Sequence, residues 1–151
     1  MNSLHLNAED PAAHESILLM EELSTALEAI TGDGGKDSFD AEDVRGPMAR
    51  FVIARDASGA ALGCGAFRPL EPGVAEIKRM YARHGTSGVG SAVLRFLEAE
   101  AAALGYQALW LETRLVNRRA VDFYSARGYK RIANYGKYIG NPLAVCFEKN
   151  L

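Results

Sequence analysis

The segment Val74–Leu97 (VAEIKRMYARHGTSGVGSAVLRFL) has residue types and spacing that suit a phosphate. A strand-like run is followed by a glycine-rich turn and then directly by a helical pattern. A helix N-terminus leaves backbone N–H groups without partners and carries a partial positive charge, so it attracts phosphate or diphosphate oxygens. Three glycines there would let a ligand approach the backbone: Gly85, Gly88 and Gly90. Three hydroxyl side chains are further donors: Thr86, Ser87 and Ser91.

Two common phosphate motifs do not match this turn. It lacks the Gly-Lys-Ser/Thr ending of a P-loop, and its glycines do not fit the G-x-G-x-x-G dinucleotide pattern. The three histidines, His5, His14 and His84, have no metal-ligand spacing, so no metal site is expected.

The net charge of −2 hides an asymmetry along the chain. Residues 1–75 hold 13 acidic and 5 basic side chains, whereas residues 76–151 hold 6 acidic and 12 basic ones. Solvated helix faces could produce this by chance; alternatively, the second half binds an anion and the first half faces a cation. Basic residues are not interleaved with exposed aromatics, which argues against a nucleic acid partner and favours a small phosphorylated ligand.

The elements that must position this turn alternate between helix and strand. Helices are predicted over Pro11–Ile30, Gly88–Leu104 (with Gly105 as its C-cap) and Asn117–Gly128, with a long acidic loop over Thr31–Pro47 that holds a short helix at Ala41–Val44. Strands are predicted over Ser3–Leu6, Arg50–Arg55, Ala61–Pro69, Val74–Ala82, Ala108–Glu112, Tyr129–Ala133 and Leu143–Lys149. This order predicts a single α/β (α+β) domain over residues 1–151, with helices flanking a mixed, largely antiparallel sheet.

Length and composition indicate one ordinary globular domain. The chain has 151 residues, of which 48% are hydrophobic and 24% charged. Its apolar runs are too short to span a bilayer, and its first residues lack the features of a secretory signal, so we expect no membrane partner. Cys64 and Cys146 lie in apolar runs and are expected to be buried and reduced, as in a cytoplasmic protein. A homodimer is the default expectation for a soluble oligomer.

Four segments together resemble the GNAT superfamily of N-acetyltransferases. They are AEIKRMYA, the Gly-x-Gly helix start, LWLET and NRRAVDFYSARGY, and the resemblance covers about residues 50–151. It implies a GNAT-like fold and acetyl-CoA as co-substrate. One position departs from the family pattern, because Gly85 stands where the diphosphate loop usually has Arg or Gln. Arg83 or His84 would then supply the missing side chain.

The resemblance also implies a catalytic base. An amine with a pKa of ~10.4 is a cation at pH 7, and holding it as the free base costs about 4.6 kcal/mol, so a residue that takes its proton is useful. Glu76 occupies the position at which several family members carry a catalytic glutamate. Two alternatives stay open: Glu112 is the base, or Glu76 is a structural carboxylate paired with Lys78 or Arg79.

The remaining roles follow from the same resemblance. The backbone N–H near Met80 would bind the thioester oxygen, and Tyr124 would protonate the leaving thiolate. Asn117 lies seven residues before Tyr124, hence on the same helix face, and would contact the coenzyme and cap its helix. The coenzyme is expected to contact these residues: Met80, Tyr81, Ala82, Arg83, Thr86, Ser87, Gly88, Val89, Gly90, Ser91, Asn117 and Tyr124.

The acceptor site is expected between the last two strands. Tyr135 and Tyr138, with the acidic loop 33–43, would form its walls. The leading hypothesis is direct attack by a primary amine of a small molecule or peptide on acetyl-CoA. The alternatives are a catalytically silent acyl-CoA-binding or sensing domain and an interaction module that binds no coenzyme A.

Overall fold

The computed structural model describes residues 3–151, which form a seven-stranded sheet flanked by three α-helices. The strands are β1 His5–Ala8, β2 Arg50–Arg55, β3 Ala61–Glu71, β4 Val74–Ala82, β5 Ala108–Arg114, β6 Lys130–Ile132 and β7 Ala144–Asn150. The helices are α1 His14–Thr31, α2 Val89–Ala103 and α3 Arg118–Ala126. Short 3₁₀ helices span Lys36–Ser38, Ala41–Val44 and Gly136–Tyr138. The strand order is β1-β2-β3-β4-β5-β7-β6, and only β4 and β5 pair in parallel. The predicted mixed, largely antiparallel sheet is confirmed.

The element boundaries differ from the predicted ones by a few residues, and local hydrogen bonds explain one case. Helix α1 begins at His14 rather than Pro11, because the Asp10 carboxylate accepts from the Ala12 N–H and forms a turn there. Helix α1 ends at Thr31, one residue after the predicted Ile30, and Gly32 caps it in the left-handed conformation. Strand β1 starts two residues after the predicted Ser3, where it pairs with β2.

The sheet buries a different core on each face. Helices α2 and α3 cover one face, where Val93 and Leu97 pack with Phe67 and Leu109. Helix α1 covers the other face, where Leu19 packs with residues of β2 and β3. Both cysteines are free and buried, as predicted.

Strand β4 is irregular at the centre of the sheet. Cys64 pairs with Tyr81 and Ala66 with Lys78, so Gly65 on β3 faces two residues of β4, Arg79 and Met80. This is a β-bulge, and Arg79 has a φ of 57°, a left-handed conformation uncommon outside glycine. A bulge bends the strand, so the direction of β4 changes here.

The pairing between β4 and β5 ends before the bulge. Only three residues of β4 pair with β5, the last being Glu76 opposite Trp110. Both strands continue beyond that point, β4 to Ala82 and β5 to Arg114. The two strands therefore diverge and leave a cleft at the centre of the sheet.

Candidate active site

The cleft between the diverging strands brings together residues from several elements. Its walls include Lys78 and Met80 of β4, Glu112 of β5, and Asn117 and Tyr124 at α3. The acidic loop and the C-terminal 3₁₀ helix complete it, through Asp33, Phe39 and Tyr138. A neighbouring cavity shares Phe39 and Tyr138 and is also lined by these residues: Asp37, Asp40, Asp43, Arg68, Glu76, Tyr135 and Lys137. Glu112 therefore faces the cleft, and Glu76 faces the neighbouring cavity.

Helix α2 has an uncapped N-terminus. Its N-cap, Gly88, has a φ of 73° and offers no side chain, and the first turn contains no acidic residue. The backbone N–H groups of this turn therefore have no carboxylate to neutralise the helix dipole. Val89 is buried beneath the turn, while Phe123 of α3 packs against Gly90 so closely that a Cβ there would lie 3.3 Å from its ring. The turn is thus rigidly held and electrostatically suited to an anion.

The loop before α2 uses its side chains to fold itself. The Thr86 hydroxyl donates to the Arg83 carbonyl over 2.6 Å, whereas Ser87 is exposed. The Arg83 guanidinium donates to the Glu22 carboxylate of α1 and to the Ala61 carbonyl. In this structure Arg83 is therefore engaged on the face of the sheet that α1 covers, and its contact with a coenzyme stays a prediction. His84 is exposed.

Arg127 is a cation near the α2 N-terminus that the sequence analysis did not single out. Its Nε donates to Ser91 Oγ over 2.8 Å, and its guanidinium lies 3.8 Å from the centre of the Phe123 ring. No helical periodicity relates Arg127 to Ser91, since the two residues are 36 positions apart. The signal available in the sequence was only the unpaired positive charge at the end of α3.

Met80 and its neighbours form the β4 wall of the cleft. Met80 lies at the bulge, after the last residue that pairs with β5. Tyr81 turns to the face of α1, where its hydroxyl donates to Glu22, and Ala82 is exposed at the end of the strand. The backbone edge from Met80 to Ala82 is thus without a β5 partner among residues 3–151 and can accept an extended chain.

Glu76 is buried, with 1% of its surface exposed, and its oxygens are already bonded. Arg68 binds Oε1 through Nε and Nη2, both at 2.9 Å, and the Tyr135 hydroxyl donates to Oε2 over 2.5 Å. Lys78 Nζ lies 3.7 Å from Oε1, whereas Arg79 points to α1 instead. Burial and the adjacent Glu76 raise the pKa of Tyr135, so this tyrosine stays protonated and donates. The surroundings of Glu76 are those of a structural carboxylate.

Glu112 has the surroundings expected of a base. Its side chain is 13% exposed and lines the same cleft as Met80. Arg114 Nη1 donates to its Oε2. Burial raises the pKa of Glu112, and the positive charges of Arg114 and Lys78 only partly oppose that rise. A carboxylate with a raised pKa holds a proton more strongly than an exposed one, which suits proton transfer near neutral pH.

Tyr124 and Asn117 lie together on the cleft, as their spacing predicts. Burial raises the pKa of Tyr124, so its phenol stays protonated at neutral pH. The Tyr124 ring packs edge-on against Phe123 and Tyr129, which fixes its direction. Asn117 is the N-cap of α3, and its Oδ1 accepts from the Ala120 N–H. The predicted capping role is confirmed.

Tyr135 and Tyr138, which are predicted to wall the acceptor site, lie beside these groups. Tyr135 and Tyr138 pack edge-on with ring centres 5.5 Å apart, and Tyr135 also contacts Trp110. The Tyr138 hydroxyl accepts from Lys78 Nζ over 3.1 Å. Phe39 and Tyr138 line both the cleft beside Met80 and the neighbouring cavity, whereas Tyr135 lines the neighbouring cavity.

Residues 3–151 contain neither a cluster of metal ligands nor a helix that could cross a membrane. They contain no group of three or more His, Cys, Asp or Glu side chains that could hold a metal ion. No helix in that range has the length and apolar character needed to cross a bilayer.

The acetyltransferase (GNAT) family model matches residues 17–129, which include the bulge, the α2 N-terminus and most of the cleft. The chain belongs to the GNAT family. It is an acetyltransferase, and this family uses acetyl-CoA. An IAA acetyltransferase from Azospirillum brasilense is 31% identical over 154 residues that span all of both chains. The uncharacterised N-acetyltransferase YsnE of Bacillus subtilis is 28% identical over 98% of this GNAT chain and all of its own.

Solved structures agree with this assignment. A candidate acyl-CoA N-acyltransferase from Klebsiella pneumoniae superposes with a TM-score of 0.82 and 27% identity, covering 98% of this GNAT chain and 97% of its own. The PaiA N-acetyltransferase of Thermoplasma acidophilum, solved with coenzyme A, has a TM-score of 0.74 and 15% identity over 99% of both chains. At that identity the likeness supports the fold alone, and the predicted GNAT-like fold is confirmed.

Proposed function

We propose that this GNAT protein moves the acetyl group of acetyl-CoA to a primary amine of a small molecule or peptide. The observation that carries the proposal is the cleft between β4 and β5, where Met80, Glu112 and Tyr124 meet. These are a strand edge, a carboxylate with a raised pKa and a buried phenol. Direct acetyl transfer to an amine needs one group of each kind.

The coenzyme would be held by the backbone more than by side chains. The uncapped N–H groups from Gly88 to Ser91 suit its diphosphate, because the first turn of α2 carries no acidic residue to compete. The free edge of β4 from Met80 to Ala82 suits the amide-containing pantetheine arm. An N–H near Met80 would bind the oxyanion formed on attack, and one preorganised donor of this kind stabilises the transition state by about 3 kcal/mol.

Glu112 is the base in this proposal. Its carboxylate lines the cleft, whereas both oxygens of Glu76 are taken by Arg68 and Tyr135. Glu112 would accept the proton of the acceptor ammonium, directly or through water. Glu76 would then act by holding its neighbours in place. Its assignment as the base stays a competing prediction, which the two variants described in the Discussion separate.

Tyr124 would donate a proton to the coenzyme A thiolate as it leaves. Its raised pKa keeps the phenol protonated, so the proton is present when the carbon–sulfur bond breaks. The phenol is then reprotonated from solvent. Asn117 lies on the same wall and would contact the coenzyme arm.

Direct attack is favoured over an acetyl-enzyme intermediate. Cys64 is fully buried, and burial raises the pKa of its thiol to about 12, which leaves almost no thiolate at neutral pH. Cys146 is also buried, and burial likewise raises the pKa of its thiol. Neither cysteine therefore suits a nucleophilic role.

The experiment is free-thiol release from acetyl-CoA across a panel of amines, with product mass as confirmation. The proposal expects thiol release that depends on the amine, and a large loss of turnover in Tyr124→Phe. Binding of acetyl-CoA without thiol release for any amine would contradict it and favour the silent binding domain. Stoichiometric acetylation of the protein before the amine is added would contradict direct attack.

A further inference from the structure

Lys78 is a partly buried cation whose donors the protein only partly uses. Its side chain is 10% exposed and lines the cleft, two residues before Met80. An ammonium group has three N–H donors. Within residues 3–151, Lys78 Nζ has a single hydrogen bond, to the Tyr138 hydroxyl at 3.1 Å.

The neighbouring carboxylate does not satisfy Lys78. Glu76 Oε1 lies 3.7 Å away, beyond hydrogen-bond distance, and already accepts two bonds from Arg68. Burial lowers the pKa of Lys78, because the charged form loses hydration there. A buried charge of this kind is costly unless a partner completes its hydrogen bonds.

The other two cations on the cleft wall, Arg79 and Arg114, each use part of the guanidinium within the protein. Arg114 is paired with Glu112. Arg79 donates to the Met20 carbonyl and Ser24 hydroxyl of α1, both at 2.6 Å. Lys78 therefore retains donors for a ligand, as do Arg79, whose Nε has no hydrogen-bond partner among the described residues, and Arg114, which is bonded through Nη1. Of the three, Lys78 is the one bonded to Tyr138 of the predicted acceptor wall.

The cleft wall carries both acidic and basic side chains. Glu112 and Asp33 are acidic, whereas Lys78, Arg79 and Arg114 are basic. The neighbouring cavity carries four acidic side chains, Asp37, Asp40, Asp43 and Glu76, against two basic ones, Arg68 and Lys137, and this acidic balance disfavours a ligand with net negative charge. A molecule with one ammonium and one carboxylate matches both features, because it is neutral overall and has a group for each wall.

We propose that the acceptor is an amine that also carries a carboxylate, and that Lys78 Nζ and the Tyr138 hydroxyl bind that carboxylate. This inference rests on the proposed function and narrows its substrate to the chemistry of amino acids. The carboxylate would supply the acceptor oxygens that Lys78 lacks, and its position would direct the amine towards Glu112. Free amino acids and peptide C-termini share this chemistry, so the acceptor panel contains both.

The test compares acceptors that differ only in the carboxylate. Free amino acids and short peptides are each paired with their C-terminal amides, and kcat/KM is measured by thiol release. The wild-type protein is expected to prefer the carboxylate form at least tenfold, because a hydrogen bond to a charged group contributes about 1.5–3 kcal/mol. In Lys78→Met the ratio of kcat/KM between the acid and the amide should fall towards one, because KM for the acid rises.

Two further variants make the result specific. Tyr138→Phe keeps the ring and should lower the preference several-fold. Lys137→Met removes an exposed cation whose Nζ lies 5.6 Å from the centre of the same ring, and it should keep the wild-type preference. Thermal melting of each variant confirms that it is folded.

The outcomes separate this inference from the proposed function. Equal rates for acid and amide in the wild type would overturn the inference alone, as would a preference that survives in both Lys78→Met and Tyr138→Phe. Parallel loss of activity towards both acceptors in folded Lys78→Met would make Lys78 a structural partner of Glu76 and also overturn it. Absence of thiol release with every acceptor would overturn the proposed function itself.

Discussion

Glu76 and Glu112 lie on neighbouring strands, but the groups that surround the two carboxylates differ. Glu76 is enclosed by Arg68 and Tyr135, which occupy both of its oxygens. Glu112 borders the cleft and is held by a single side chain, Arg114, within the described residues. A residue must reach the substrate to move its proton, so the position of Glu112 supports its proposed role as the base.

Substitution of the two glutamates should have different consequences. Glu112→Gln is expected to lower kcat by about 10²–10⁴, the usual contribution of a positioned base, and to keep or raise the melting temperature, because a carboxyl with a raised pKa is unfavourably ionised at neutral pH. Glu76→Gln should lower the melting temperature, since it weakens the bonds to Arg68 and Tyr135. Enzyme assays and thermal melts check both, with Glu71→Gln on the exposed end of β3 as control. A larger loss of kcat in Glu76→Gln than in Glu112→Gln would make Glu76 the base.

The pH dependence of activity should report Glu112. The ionised form is the active base, so kcat/KM rises with pH through its pKa. Burial raises that pKa, which places the rise above the range of an exposed glutamate. The rise should disappear in Glu112→Gln and persist in Glu71→Gln. The same acid limb in Glu112→Gln would contradict the assignment.

The sequence favoured Glu76 as the base, with Glu112 as the alternative, but it could not show what surrounds each carboxylate. Glu76 stands at the position that the family resemblance indicates, yet the groups that enclose it come from distant parts of the chain. Tyr135 is 59 residues away from Glu76, and Arg68 reaches it through the register of β3 and β4. Such contacts depend on tertiary packing, which local patterns do not encode. For the same reason Arg127 was missed at the α2 N-terminus.

At the scale of elements, glycines on β3 make room for the bulge on β4. A Cβ on Gly65 would lie 2.5 Å from Met80 Sδ and 2.7 Å from Val93 Cγ1. The order of helices and strands was predictable because apolar periodicity and turn residues are local signals. The bulge was not predictable, since it is defined by pairing with β3. The extent of the β4–β5 divergence was not predictable either.

Gly65→Ala tests the link between this packing and the cleft. The added methyl group must displace Met80 and α2, so we expect a loss of about 1–3 kcal/mol in unfolding free energy and a higher KM for acetyl-CoA. Glu71→Ala, on the same strand but exposed, is the control. Denaturant unfolding and steady-state kinetics measure the two effects. An unchanged KM in a destabilised variant would show that the position of Met80 does not govern the site.

The first turn of α2 gives a prediction in which stability and binding change in opposite directions. Ser91→Asp places a carboxylate at the helix N-terminus and beside Arg127, which should stabilise the fold by roughly 0.3–1 kcal/mol. The same charge should repel the coenzyme diphosphate and raise the Kd of coenzyme A at least tenfold. Ser91→Ala removes the hydroxyl without adding charge and should weaken binding far less. Calorimetry measures the Kd of coenzyme A, and thermal melting measures the change in stability. An unchanged Kd in Ser91→Asp would show that the diphosphate binds elsewhere.

At the scale of the whole molecule, the charge asymmetry of the sequence has a partial structural counterpart. Four aspartates of the acidic loop, Asp33, Asp37, Asp40 and Asp43, line the two cavities on the acceptor side. Arg127, from the basic half, lies at the α2 N-terminus instead. An ammonium-bearing acceptor and a phosphorylated coenzyme would therefore meet opposite charges. The predicted homodimer stays a prediction, which sedimentation analysis can settle.

The proposed function requires the cleft between β4 and β5 to hold the acetyl thioester while the N-terminus of α2 holds the diphosphate. A crystal structure of the protein with acetyl-CoA tests it most directly. We expect the thioester oxygen within hydrogen-bond distance of the backbone N–H near Met80, and the diphosphate on the amides between Gly88 and Ser91. A coenzyme bound outside this cleft, with the cleft filled by the protein's own side chains, would contradict the account.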